Sequence, residues 1–117
     1  SVDDKNRWQP YLDLGVEIIC VPLKNQYIDL STLLFFLATK YEIGELLLEA
    51  GGILNGAFLQ NDLIDEISWF QAAKILGDKG QSVFFIDELT SMDQVQPWHI
   101  IETHQIDQMN LFLCIQK

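Results

Sequence analysis

The sequence predicts an α/β chain: a mostly parallel sheet with helices on both faces, closed by an antiparallel hairpin. Three observations carry that expectation. Short apolar runs rich in β-branched residues alternate with segments of helical period, the pattern of strand–helix–strand units joined by right-handed crossovers. Glycines and a proline punctuate the joints between them. The stretch 98–116 then reads as two strands folded back around Asp107–Gln108. At 117 residues the chain has the length of one domain, enough to bury roughly two thirds of its unfolded surface.

Each element follows from its residues. Residues 1–14 form an irregular or weakly helical lead-in, with Trp8, Tyr11, Leu12 and Leu14 as anchors. "VEIICV" (16–21) is a strand, ended by Pro22. In "IDLSTLLFFLATKYEIG", Leu30, Leu33, Leu34, Leu37 and Tyr41 share one helical face. Asp29 is suited to cap that helix, and Gly44 to end it in the left-handed conformation. "ELLLEA" (45–50) is the next strand and "GILNGAFLQN" (52–61) the next helix. "DEISWFQAAKI" (65–75) is a strand with Ile67 and Trp69 on one face, Ser68 and Phe70 on the other. A turn at "GDKG" and a short apolar piece, "VFFI" (83–86), precede the hairpin.

Charge narrows the function. A net charge of −10, with Arg7 the sole arginine, argues against nucleic acid or an anionic membrane as partner. The apolar runs fall short of the roughly 18 residues of a membrane span, and the polar, acidic start is unlike a signal peptide. A cytoplasmic protein with two buried free thiols, Cys20 and Cys114, is expected. His99 and His104 lack zinc spacing, and five residues apart on a strand they should face opposite ways. No metal is expected. Ser31 and Thr32 lie in a helix first turn with no base nearby in sequence, so neither reads as a nucleophile.

The chemistry concentrates at "EAGGILNGA", residues 49–57. A helix start offers unpaired backbone N–H groups and the positive end of its dipole, and glycine lets an anion come close. Gly51 and Gly52 suit a phosphate cradle, and equally a tight strand-to-helix turn. Gly56 and Ala57 suit a close approach, to a ligand or to a packed neighbour. Glu49 is either a carboxylate facing a cleft or a helix cap.

"LLLEAGGILNGAFLQNDLIDEISWFQAAKILG" (46–77), with "DLSTLL" upstream and the closing hairpin, resembles the reductase domain of the bifunctional riboflavin biosynthesis deaminase–reductase. That resemblance implies a dihydrofolate reductase-like, three-layer fold and NADPH-dependent reduction of 5-amino-6-(5-phosphoribosylamino)uracil. It implies that Glu49 contacts substrate and that Gly51, Gly52, Ile53, Leu54, Asn55, Gly56 and Ala57 form the cofactor turn. Asp65 and Glu66 match the family's acidic pair after the helix and read as structural; Lys74 reads as a solvated strand-end charge. Ala73 stands where the family usually has proline. The likeness covers the second half of that domain, and no H-x-E or P-C-x-x-C of a zinc deaminase occurs. The expectation is therefore a C-terminal part of the reductase domain, inactive alone. The rival expectation is a catalytically silent truncated domain that serves association, and either way a homodimer.

Overall fold

A computed structural model describes residues 5–86, 91 and 95–117, with backbone only for Lys5 and Asn6. Residues 1–4 of the expected lead-in lie outside the described residues. The chain divides into two compact units, one running to Leu46 and the other from Leu47 to Lys117.

The first unit begins with helix α1 (Lys5–Leu12). Strands β1 (Leu23–Lys24) and β2 (Tyr27–Ile28) pair antiparallel just after Pro22. Asn25 and Gln26 between them both take positive φ, 52° and 70°, as a two-residue hairpin turn requires. Helix α2 (Leu30–Lys40) follows, with Leu30 buried and Leu33, Leu34 and Leu37 half-buried on the predicted face. Phe35 on the other side is 70% exposed. Asp29 caps the helix as expected, its Oδ1 accepting from the Thr32 N–H at 3.2 Å and its Oδ2 from the Thr32 hydroxyl at 2.9 Å. Gly44 does not close α2. Tyr41 caps it and Glu42 takes the left-handed position (φ 55°), because the helix stops two residues earlier than the glycine implied. Lys40 Nζ meets Glu17 Oε1 at 2.9 Å, and the Tyr41 hydroxyl donates to the same oxygen. The Tyr41 bond, then Lys40, hold the Glu17 carboxyl below its usual range.

The second unit carries helix α3 (Gly52–Gln60) and strands β3 (Glu66–Ala72), β4 (His99–Gln105) and β5 (Asn110–Gln116). The three strands form one sheet in the order β3-β5-β4, and both pairings are antiparallel. Ile67 and Trp69 oppose Ile115 and Leu113, while Ser68 and Phe70 oppose Cys114 and Phe112, the two faces predicted for this strand. The Phe70 and Phe112 rings lie 5.1 Å apart, and the His104 ring lies 4.9 Å from Phe112.

Two expectations about strands fail. No parallel pairing occurs among the described residues: 16–21 and 45–50 carry no regular element. A strand exists by pairing, and neither segment has a ladder partner here; Leu47 stands 82% exposed. Exposure also reaches Cys20, while Cys114 is buried, and burial pushes its thiol up. The second failure concerns the histidines. A register shift between Ile100 and Glu102 inserts one extra residue, so His99 opposes Gln116 and His104 opposes Phe112. Both therefore lie on the same face of β4.

The Thr32 N–H, then its hydroxyl, hold the Asp29 carboxyl below its ordinary value. A depressed folded pKa gives stability that is complete above the unfolded value of about 3.9 and lost as pH falls through the folded one. Asp29→Asn should keep the cap but remove that acid sensitivity. Melting curves between pH 6 and pH 2.5 should show a shallower decline for Asp29→Asn than for wild type, and a lower melting temperature throughout for Asp29→Ala.

Candidate functional site

Helix α3 starts without a side-chain cap. Gly51 occupies the cap position with φ −80° and ψ 168°, an extended backbone open to any residue. The N–H groups of the first turn thus keep their positive end free of a capping oxygen. A β-carbon built on Gly51 would meet nothing within 4 Å. The other two glycines differ sharply. On Gly52 it would lie 2.6 Å from the Ser82 carbonyl oxygen and 2.8 Å from the Phe85 ring. On Gly56 it would lie 1.8 Å from the Phe85 carbonyl oxygen. One turn apart on α3, these two glycines form a flat face on which the backbone of 82–85 rests. The Phe85 N–H donates to the Gly52 carbonyl at 2.8 Å.

That contact creates the hollow. One open cavity of about 240 Å³ is lined by Ala50, Gly51, Gly52, Asn55, Gln81, Ser82 and Val83. A second, of about 330 Å³, shares Ala50, Gly51, Gly52 and Gln81 and adds Ile53, Leu54 and Phe85. Asn55 spans the first: its Nδ2 donates to the Ala50 carbonyl at 3.0 Å and the Val83 carbonyl at 3.1 Å. Its Oδ1 is shielded from solvent and has no donor among the described residues.

The structure therefore brings Gly51, Gly52, Ile53, Leu54 and Asn55 to one hollow. Ile53 projects outward, 76% exposed. Gly56 is buried beneath Phe85 and Ala57 is half-buried, so neither lines it. Glu49 is exposed, lines neither cavity, and makes no hydrogen bond or ion pair among the described residues. Glu66 accepts from Gln116 Nε2 at 2.7 Å across the sheet, a structural bond. Gln81, Ser82 and Val83 were missed in the sequence. Their only signal was the glycine pair i, i+4 on α3, which called for a close backbone neighbour without naming it. Among the described residues no group of three His, Cys, Asp or Glu side chains could hold a metal, and no helix is long and apolar enough to cross a membrane.

The second unit sets a glycine-opened helix beside an antiparallel sheet, and the start of that helix lines a hollow; free backbone N–H groups at a helix start suit an anion. The sequence comparisons are more specific. Residues 2–108 match the RibD C-terminal domain, and the chain belongs to that family. It is 32% identical over 103 residues to the riboflavin biosynthesis protein RibD of Buchnera aphidicola subsp. Baizongia pistaciae, covering 88% of this chain and 26% of that protein. It is 33% identical over 67 residues to RibD of Haemophilus influenzae, covering 57% of this chain and 18% of that protein. The solved structure of Acinetobacter baumannii RibD superposes with a TM-score of 0.77 at 34% identity, covering 92% of this chain and 28% of that one. The chain thus spans about a quarter of the length of the first of these relatives and of the solved structure.

A nicotinamide cofactor is consistent with this family, and the hollow can be tested for it. The open Gly51 turn at the α3 start fits a pyrophosphate, and the donorless Asn55 Oδ1 fits a ligand N–H or O–H. Among the described residues neither lysine nor arginine lines either cavity, so none of those lining them would grip a ribose 2′-phosphate.

The glycines separate by stability alone. Gly56→Ala should cost about 1–3 kcal/mol or more, because a backbone carbonyl must give way. Gly51→Ala should be neutral or gain up to about 1 kcal/mol from reduced unfolded-state freedom. Glu49→Gln should stay within about 0.5 kcal/mol of wild type. Chemical denaturation of the three variants checks all of this, and equal losses for Gly51→Ala and Gly56→Ala would refute the packing assignment.

Proposed function

We propose that this chain forms the C-terminal part of a RibD-type reductase domain and supplies its cofactor turn to an NADPH-dependent step of riboflavin biosynthesis. The observation that carries the reading is that the family match, residues 2–108, takes in every residue lining the open hollow at the start of α3. In the whole domain the fold would be dihydrofolate reductase-like, with 16–21 and 45–50 as strands of a parallel sheet. The substrate would be 5-amino-6-(5-phosphoribosylamino)uracil. NADPH, when bound, supplies the hydride that reduces the ribosylamino group. The protein's share is position. The Gly51 turn would hold the pyrophosphate on the first N–H groups of α3, between walls at Ala50 and Ser82–Val83. Glu49 would meet the substrate from its exposed place beside that turn. Gly52 and Gly56 serve the site by holding 82–85 in place.

The test is a titration of the chain with NADPH and NADH, followed by cofactor fluorescence. Affinity should be sub-millimolar to millimolar, about 4–5 kcal/mol, and the two cofactors should agree within about tenfold, since no cation in the hollow reads the 2′-phosphate. Gly51→Val should weaken binding at least tenfold. No saturable binding by either cofactor at several millimolar would overturn the reading.

One observation favours a second reading, in which the chain serves association. Ile100 and Ile101 are exposed on β4, which lies at an edge of the sheet, and an apolar strand edge left open invites pairing. A homodimer follows from it. Light scattering that shows only a species of about 13.4 kDa at high concentration would exclude this.

A further inference from the structure

We infer that Asn55 is the positioning residue of the α3 hollow, tying its two walls together through one side-chain amide. The inference rests on the cofactor reading of that hollow. Ala50 precedes the glycine turn and Val83 lies in the segment seated on α3; their carbonyls converge on Nδ2 at 3.0 and 3.1 Å. The Nδ2 group has two protons and meets two acceptors, which fixes which way the amide faces. The reversed amide would set Oδ1 against both carbonyls. Oδ1 is shielded from solvent and has no donor among the described residues, so within the protein the side chain is held by its donors alone. The Phe85–Gly52 hydrogen bond and the two glycine approaches also join α3 to 82–85, and these lie on the Gly52–Gly56 face. Among the described residues, Asn55 supplies the side-chain hydrogen bonds that join the Ala50 and Val83 walls. Substituting Asp keeps the shape, removes both donors and still suits the first turns of a helix.

The test joins hydrogen exchange to cofactor titration on the 117-residue chain. In wild type, both Asn55 side-chain amide protons should exchange at least tenfold more slowly than those of exposed glutamines such as Gln105; rates equal to theirs overturn the inference without any variant. In N55D, the Phe85 amide should exchange at least tenfold faster while Ile67 and Ile115 in the sheet keep their rates. The NADPH dissociation constant should rise at least tenfold at a temperature well below both melting points, and N55A should move the same way. Wild-type exchange at Phe85 in N55D overturns the tie between the walls. Faster exchange with unchanged NADPH affinity overturns the positioning role. If wild type binds no NADPH while N55D still loosens Phe85, the cofactor reading falls and the tie stands.

Discussion

The second unit depends on one backbone contact, the seating of 82–85 on Gly52 and Gly56 of α3. A methyl group on Gly56 would stand 1.8 Å from a carbonyl oxygen, far inside any allowed separation. Glycine in a helix interior costs about 0.5–1 kcal/mol against alanine, so its place here answers a packing demand that outweighs the propensity. The hollow follows from it. Its far wall consists of Gln81, Ser82 and Val83 because the next residues are locked onto the helix. Gly51 plays the opposite part. With open space at its β-carbon and no cap oxygen, it leaves the helix start free to receive something else. Two adjacent glycines thus do two different jobs, one facing protein and one facing the opening.

Where elements form through local rules, they were legible. The α2 face of Leu30, Leu33, Leu34 and Leu37, the Asp29 cap and the 52–61 helix all depend on residues within a turn or two of each other. The alternation in β3 was legible too, since a half-buried strand writes its faces at period two. The errors fall where a distant partner decides. "VEIICV" and "ELLLEA" have the composition of strands, but composition gives the capacity to pair and not the pairing. The bulge at Ile100–Glu102 belongs to the same class: one extra residue, unmarked by glycine or proline, returns His104 to the face of His99.

The candidate site was half legible for the same reason. The motif at 49–57 named the helix start, yet it could not distinguish glycines that face a ligand from glycines that face the chain. Only the position of Phe85 separates Gly51 from Gly56. Asn55 sits inside that motif as a polar residue of unstated purpose. Its purpose needs Val83, which lies 28 residues further on. Glu49, read from the sequence as either a cleft carboxylate or a cap, stands exposed and unpaired among the described residues, so it caps no helix there.

Charge adds a last constraint on the chemistry. The chain carries −10, and the hollow has no cation in its lining, yet its family is one in which a nicotinamide cofactor is expected. Backbone N–H groups reconcile these facts in part. They offer a fixed, uncharged set of donors, and with the dipole they act over the first turn, so a pyrophosphate seated there is held by geometry more than by net charge. A 2′-phosphate enjoys no such arrangement, because it needs a guanidinium or ammonium at its own position. The Acinetobacter baumannii protein follows the same course over 92% of this chain, with this region making up 28% of its length. On the proposed reading, this region would orient the cofactor's pyrophosphate, and discrimination between the two nicotinamide dinucleotides would fall to residues beyond the two cavities of α3.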